Sequence, residues 1–293
     1  MIQFNAMLKI SLVLLLLISL GQPVLKKVFS LPKSIKESSG IEVTSKSKLV
    51  WTLQDSGNPA EIYGIDVNGK IAQTIQITNA KNNDWEDLTS DDLGNLYIGD
   101  FGNNENDRKN LAIYKIDAAS LQNKQATVSS KINFHYPEQT EFPPKKSQML
   151  FDVEAFFFYK DNFYLFTKNR SSKFTGETTL YQVPNKAGNH AAKRIGKFTT
   201  CDGFSHCAVT AADISPDGKT VALLSSSFVW LFTNYKTVNF LGGKAQQIDL
   251  EDFSQKEGLC FSGNNKLLIS DEKKKSNGGN LYEIDLSKLK AKP

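Results

Sequence analysis

The sequence predicts an all-β fold, a five-bladed β-propeller, on three observations. Five segments share one register: "SSGIEV", "WEDLTS", "VEAFFF", "AADISP" and "EGLCFS", each opening a hairpin. A third strand follows every hairpin, and helical periodicity is nearly absent. The last unit lacks a fourth strand, while an unassigned stretch before the first unit, "LKKVFSLP", can supply it. Pairing the beginning of the chain with its end closes a ring and removes the open edges of an array of sheets.

The innermost strands are set by the positions Ser39, Glu86, Glu154, Ala212 and Glu257, followed two residues later by Ile41, Leu88, Phe156, Ile214 and Leu259. Return strands are "LVWTLQD", "NLYIGD", "NFYLFTK", "VALLSS" and "KLLISD". The connecting turns "SDDLGN", "YKDN", "SPDG" and "SGNN" carry the Gly, Asn and Asp chemistry that reverses a chain. Fourteen residues separate Glu86 from Asp100, Glu154 from Lys168, Ala212 from Ser226 and Glu257 from Asp271, which puts each pair at one end of one sheet. Third strands are "EIYGIDV", "LAIYKID", "TLYQVP", "FVWLFTN" and "NLYEIDL". Fourth strands are "IAQTIQI", "KINFHYP", "KRIGKFT" and "AQQIDL". "AASLQNKQATVSS" and "EQTEFPPKKS" remain as excursions.

The 293 residues, 40% of them hydrophobic, suffice to bury the core of one such domain, placed at 22–293. Net charge is +4 from 35 basic and 31 acidic residues, mixed rather than polarised, and no basic stripe with interleaved aromatics points to nucleic acid. A monomer is expected. Residues 1–21 read as a signal peptide. The apolar run Ile10–Leu20 is too short for a span of about 20 residues, and small residues at Ser19 and Gly21 permit cleavage before Gln22. An uncleaved membrane anchor is the alternative, and both place the body of the protein outside the cytoplasm. Cys201 and Cys207 in "CDGFSHC" fit that location as a disulfide closing a small loop. An unpaired couple is the alternative, and with His206 the two do not complete a zinc site. Cys260, inside "GLCF", is expected buried and free.

In a propeller the innermost strands line a central channel, so Glu86, Glu154 and Glu257 converge on the axis. Like charges at that spacing need compensation. A hard divalent cation such as calcium would use these carboxylates as ligands. Internal compensation by Lys168 and Arg170, or hydrogen bonds from backbone N–H groups of the neighbouring blade, would serve the same positions without an ion. Asp55, Asp100, Asn103, Asn104, Lys168, Arg170 and Asp271 are expected to form a polar ligand-binding rim. No G-x-S-x-G, HExxH or P-loop is present, and no catalytic residue is assigned.

The ordered set "SSGI…DSGN", "EDL…LYIGD", "VEAF…YLFTK", "AADISPDG" and "EGL…LLISDE" resembles the SdiA-regulated propeller family, exported bacterial five-bladed propellers, over roughly Leu31 to Leu289. The resemblance implies fold and export; the family carries no settled activity. Glu257-Gly258-Leu259 and Asp271 give a weaker likeness to gluconolactonase propellers, whose full ligand pattern is not matched, and the phytase-like propellers are similar at a distance. Both are calcium-associated. Three functions follow. The leading one is an exported propeller that binds a ligand, with a divalent cation, in its channel. The others are a metal-dependent hydrolase of a phosphate ester or lactone, and a cell-surface interaction module that uses the blade faces.

Overall fold

The computed structural model describes residues 24–289. The expected signal segment lies outside them. Five antiparallel sheets follow one another along the chain, each begun by its innermost strand. Blade 1 is built from Ser38–Glu42, Val50–Gln54, Glu61–Ile65 and Ile71–Ile77. Blade 2 comprises Trp85–Ser90, Leu96–Asp100, Ala112–Ile116 and Ser130–His135. Blade 3 comprises Asp152–Tyr159, Asn162–Lys168, Glu177–Pro184 and Lys193–Thr199. Blade 4 holds Val209–Ile214, Thr220–Ser225, Phe228–Thr233 and Lys244–Asp249. In blade 5, Lys256–Phe261, Lys266–Asp271 and Asn280–Asp285 are completed by Lys26–Ser30, which pairs antiparallel with Asn280–Asp285. The ring is closed as the sequence predicts. Among the described residues no helix is long and apolar enough to cross a membrane.

The excursions have a role the sequence does not announce. Gln125–Ala126 joins the outer edge of blade 1 in parallel, and Gly188–Ala191 does the same for blade 2. Each covers an edge that would otherwise expose unpaired N–H and C=O groups.

The core lies between blades and changes character around the ring. Blades 2 and 3 pack aromatic edge on aromatic face, with Phe101 and Phe156 ring centroids 5.0 Å apart at 84°. Blades 3 and 4 do likewise, Tyr164 against Phe240 at 4.9 Å and Phe198 against Phe232 at 4.9 Å. Between blades 4 and 5 the contact is mostly aliphatic, through Leu224, Leu259, Leu267 and Ile269.

One local feature recurs in all five blades and shapes one end of the channel. Every innermost strand carries a β-bulge near its start, at Ser39, Glu86, Glu154, Thr210 and Glu257. A bulge inserts an unpaired residue and re-aims its side chain. In blade 4 the equivalent position is therefore Thr210, not Ala212. The pairing also separates two residues that the sequence spacing merges. The strand-end partners of the bulges are Gln54, Asp100, Thr167, Ser225 and Asp271, all buried. Their next neighbours include Asp55, Lys168, Ser226 and Glu272, which face the channel mouth. In blade 2 that next position is Phe101, fully buried.

Candidate functional site

Ser39 and Thr210 bind blade to blade. The Ser39 hydroxyl donates to the Trp85 carbonyl at 3.0 Å, and the Thr210 hydroxyl to the Lys256 carbonyl at 2.7 Å. Further along the same strands, Asp87 accepts the Phe156 N–H at 3.1 Å and Asp213 the Phe261 N–H at 2.7 Å. The structural hydrogen bonds conceivable for the glutamates thus fall to other residues. Glu86, Glu154 and Glu257 instead line one mouth of the channel, in a bowl of about 1590 Å³.

The rim residues divide into two groups. Asp100 is fully buried and takes four side-chain and backbone donors, Asn83, Asp84, Arg108 and Tyr114. Asp271 repeats the arrangement in blade 5, accepting from the Asn280 N–H at 2.7 Å and the Tyr282 hydroxyl at 3.0 Å. Asn103 is also internal, donating its N–H to Asp152 at 2.7 Å and accepting from the Arg108 N–H at 2.9 Å. Asp55, Asn104, Lys168 and Arg170 do reach the bowl.

Within the bowl the carboxylates have unequal company. Glu154 receives Lys168 Nζ at 3.0 Å on one oxygen and Arg170 at 2.6 Å on the other, and Arg170 reaches Asp152 at 2.6 Å as well. Burial works against the Glu154 charge, but the two cations outweigh it and hold the group below its ordinary range. Glu257 accepts one hydrogen bond, from the Gln255 amide at 2.7 Å, and burial pushes it up to about 8.

Glu86 is different. It is 5% exposed, and among the described residues it has no hydrogen-bond or ion-pair partner. Beside it stand Asp84 and Asp55, and one carboxylate oxygen from each of the three lies within 4.8 Å of the others. Burial first, and then the charges of Glu154, Asp55 and Asp84, hold Glu86 well above the usual carboxylate range. Burial together with Asp55 pushes Asp84 up to about 6. Gly102 passes so close that a Cβ there would collide with the Glu86 and Asp84 carboxylates. The donor set is hard oxygen throughout, which suits calcium or another oxygen-seeking divalent ion. The spacing of residues along the chain points to Glu86 and Asp55 but not to Asp84. The signal was the Asp-x-Glu repeat of "DWE" in blade 2 and "DVE" in blade 3, with the first acid two residues before the bulge.

Cys201 and Cys207 are disulfide-bonded with Cα atoms 5.4 Å apart, and Cys260 is buried and free. The disulfide points to an oxidising compartment. It closes around one helical turn, Phe204–Cys207, at the edge of the bowl.

The opposite mouth is a smaller cavity of about 730 Å³, also acidic, with Glu42 and Asp213 in its wall and Asp87 buried behind. Their contacts are N–H and O–H groups rather than cations. Burial raises all three, Asp213 from 3.8 to about 7. A carboxyl raised on folding contributes stability that is complete below its unfolded value and is lost as pH climbs through its folded value. The metal-free protein is therefore expected to melt several degrees lower at pH 8.5 than at pH 6. Calorimetry in EDTA checks this, and a profile that rises with pH would refute it.

No protein-family model matches the chain, and no curated protein matches it in sequence. Solved structures match it in fold. Aldose sugar dehydrogenase from Streptomyces coelicolor, in its PQQ-bound form, is 9% identical at a TM-score of 0.51, covering 90% of this chain and 98% of that one. A gluconolactonase from Xanthomonas campestris is 11% identical at 0.47, covering 91% and 90%. Hydrazine synthase from Kuenenia stuttgartiensis is 12% identical at 0.42; the alignment covers 84% of this chain but spans only 58% of the synthase chain. At these identities the likeness is one of fold.

Proposed function

We propose that this chain is an exported propeller that binds a ligand in the bowl at one mouth of its channel, with a divalent cation, calcium by preference, held by Asp55, Asp84 and Glu86. Export rests on the N-terminal segment and the disulfide, and the likeness to the SdiA-regulated propellers agrees with both. The observation that carries the cation is Glu86: a largely buried residue whose carboxylate has no partner among the described residues and opens onto the bowl beside two further carboxylates. Burying an unpaired charge is costly, and a bound ion offsets that cost. A cation there would supply a Lewis-acidic centre for ligand oxygens at the channel mouth.

The protein's own residues do the rest. The backbone at Gly102 leaves room for the Glu86 carboxylate, and Glu154 keeps Lys168 and Arg170 from drifting toward the acidic cluster. Because both of those cations are engaged with carboxylates, neither is free to clamp a phosphate ester. That argues against a phosphate clamp built from these two residues; hydrolysis of a lactone stays the second reading. Mass-spectrometric metal content of the unchelated protein, with calcium titration by calorimetry, tests the reading. One ion per chain is expected. At a hundredfold excess of calcium over Kd the stabilisation is about 2.7 kcal/mol, which is roughly 5–11 °C in Tm for a domain of this size. No metal and no shift on chelation would sink it.

A further inference from the structure

We propose that the bowl is a carbohydrate site in which Phe204 and Phe253 form a platform for a sugar ring of a short oligosaccharide. The inference rests on the reading above for where the rest of the ligand lies. Both phenyl rings line the bowl, yet they stay in water, 42% and 80% exposed. A large apolar side chain left exposed at a concave site marks a contact surface.

The mounts of the two rings are more telling than their exposure. Phe204 sits inside the loop closed by Cys201 and Cys207, braced edge-on by Phe174 at 5.6 Å and capped by the Arg170 guanidinium at 5.4 Å. Phe253 lies between Asp252 and Ser254. A fully buried ammonium, that of Lys256, grips both neighbours, reaching Asp252 Oδ1 at 2.6 Å and Ser254 Oγ at 3.1 Å. Phe253 also packs edge-on against His206, two residues beyond Phe204, at 5.7 Å. Neither ring belongs to a floppy loop. Each is held toward the bowl by internal structure that fixes its backbone.

The rest of the wall selects the kind of ligand. Among the described lining residues there is no Leu, Ile, Val or Met; the apolar side chains are aromatic apart from Ala208. Hydroxyls and amides make up about half of the remainder, among them Ser39, Asn104, Thr210, Ser226, Gln255 and Asn277, and charged side chains of both signs nearly all of the rest. A hydrocarbon chain would strip water from these groups and return no hydrogen bonds. A pyranose ring presents an apolar C–H face for a phenyl ring and hydroxyls around its edge for such groups. At about 1590 Å³ the bowl exceeds the ~300–1,000 Å³ usual for small-molecule pockets, so more than one sugar unit fits.

The test is saturation-transfer NMR of the calcium-treated protein with maltotriose, cellotriose, laminaritriose, xylotriose, chitotriose and trigalacturonate, followed by calorimetry. At least one sugar is expected to bind, with Kd weakened tenfold or more by Phe204→Ala and by Phe253→Ala. Leu93→Ala, which removes an exposed apolar side chain outside the bowl, should leave Kd unchanged. Melting temperatures confirm that the variants fold. Silence from all six sugars overturns the inference, as does binding that survives both Phe substitutions. Displacement of a bound sugar by lysophosphatidylcholine at equal concentration would also overturn it, because the site would then be apolar. Calcium content is read on the same samples. A chain that holds calcium and ignores the sugars loses this inference alone. Sugar binding that persists unchanged in EDTA keeps the inference and removes the ion.

Discussion

Glu86→Gln is expected to cut calcium affinity by roughly a hundredfold or more, beyond the 10–100-fold that loss of an outer-shell partner costs, while the metal-free protein melts as high as wild type or higher. The two halves of this result pull in opposite directions, which gives the experiment its force. In the metal-free fold Glu86 is largely buried, its carboxylate lacks a donor among the described residues, and it faces the charges of Glu154, Asp55 and Asp84. Glutamine keeps the shape and removes the charge, so a destabilising contribution disappears. In the loaded protein the same change deletes an anionic ligand. Calorimetric titration with calcium and melting curves in EDTA measure both. If affinity survives, the ion is held elsewhere. If the metal-free variant melts lower, Glu86 is a structural acceptor and the channel cation loses its support. Glu154→Gln is the control, because it strands Lys168 and Arg170 and should destabilise with or without calcium.

The propeller was legible because its repeat is carried by apolar strands and turn residues, which fold constrains in every blade. Even the closing strand could be found, since blade 5 runs out of chain at its third strand and Lys26–Ser30 had no other place. The site was legible only to within a residue. Counting fourteen from each glutamate treats the hairpins as equal, but they differ in length, so Asp100 and Lys168 look equivalent, and Asp55, sixteen from Ser39, is placed on the same rim. In the structure Asp100 is locked inside its blade by Tyr114 and Arg108, and Asp55 faces the bowl. Blade 4 slipped by two because "TAAD" offers no large apolar residue to mark the register after Thr210. The paired cations near Glu154 were foreseeable from "TKNR"; that Glu86 is left without one was not, because spacing along a chain does not say which carboxylate a side chain from the same blade will choose. The rim phenyls gave one overlooked hint. "DGFSH" and "EDFSQ" each place a lone Phe among polar residues in a loop, where a core residue has no reason to be.

Arg170→Met should be the most destabilising single change in the bowl, costing about 3–5 kcal/mol, the usual price of stranding a buried partner, or roughly 10 °C in Tm. The guanidinium joins two carboxylates at once, Asp152 and Glu154, each at 2.6 Å, and methionine keeps most of the side chain's volume without its charge. Asp152 is fully buried and, among the described residues, would retain only the Asn103 N–H at 2.7 Å, while Glu154 would keep Lys168. The pH dependence separates this account from a packing defect. In the wild type Glu154 lies below its ordinary range, so its contribution is present above the unfolded value and is lost as pH falls through the folded one. Burial and the Glu154 charge already push Asp152 up to about 7 in the wild type against the pull of Arg170; in the variant no cation opposes them in contact, so its carboxyl moves further up and protonation on acidification restores stability. The gap between wild type and variant should therefore narrow from pH 8 to pH 5, and Arg170→Met with Asp152→Asn should recover part of it at pH 8. Urea unfolding at the two pH values measures the gap. A gap that does not change with pH would mean that Arg170 supports the bowl by packing alone, and the division between a compensated and an uncompensated half of the carboxylate ring would no longer explain why Glu86 is the one left for an ion.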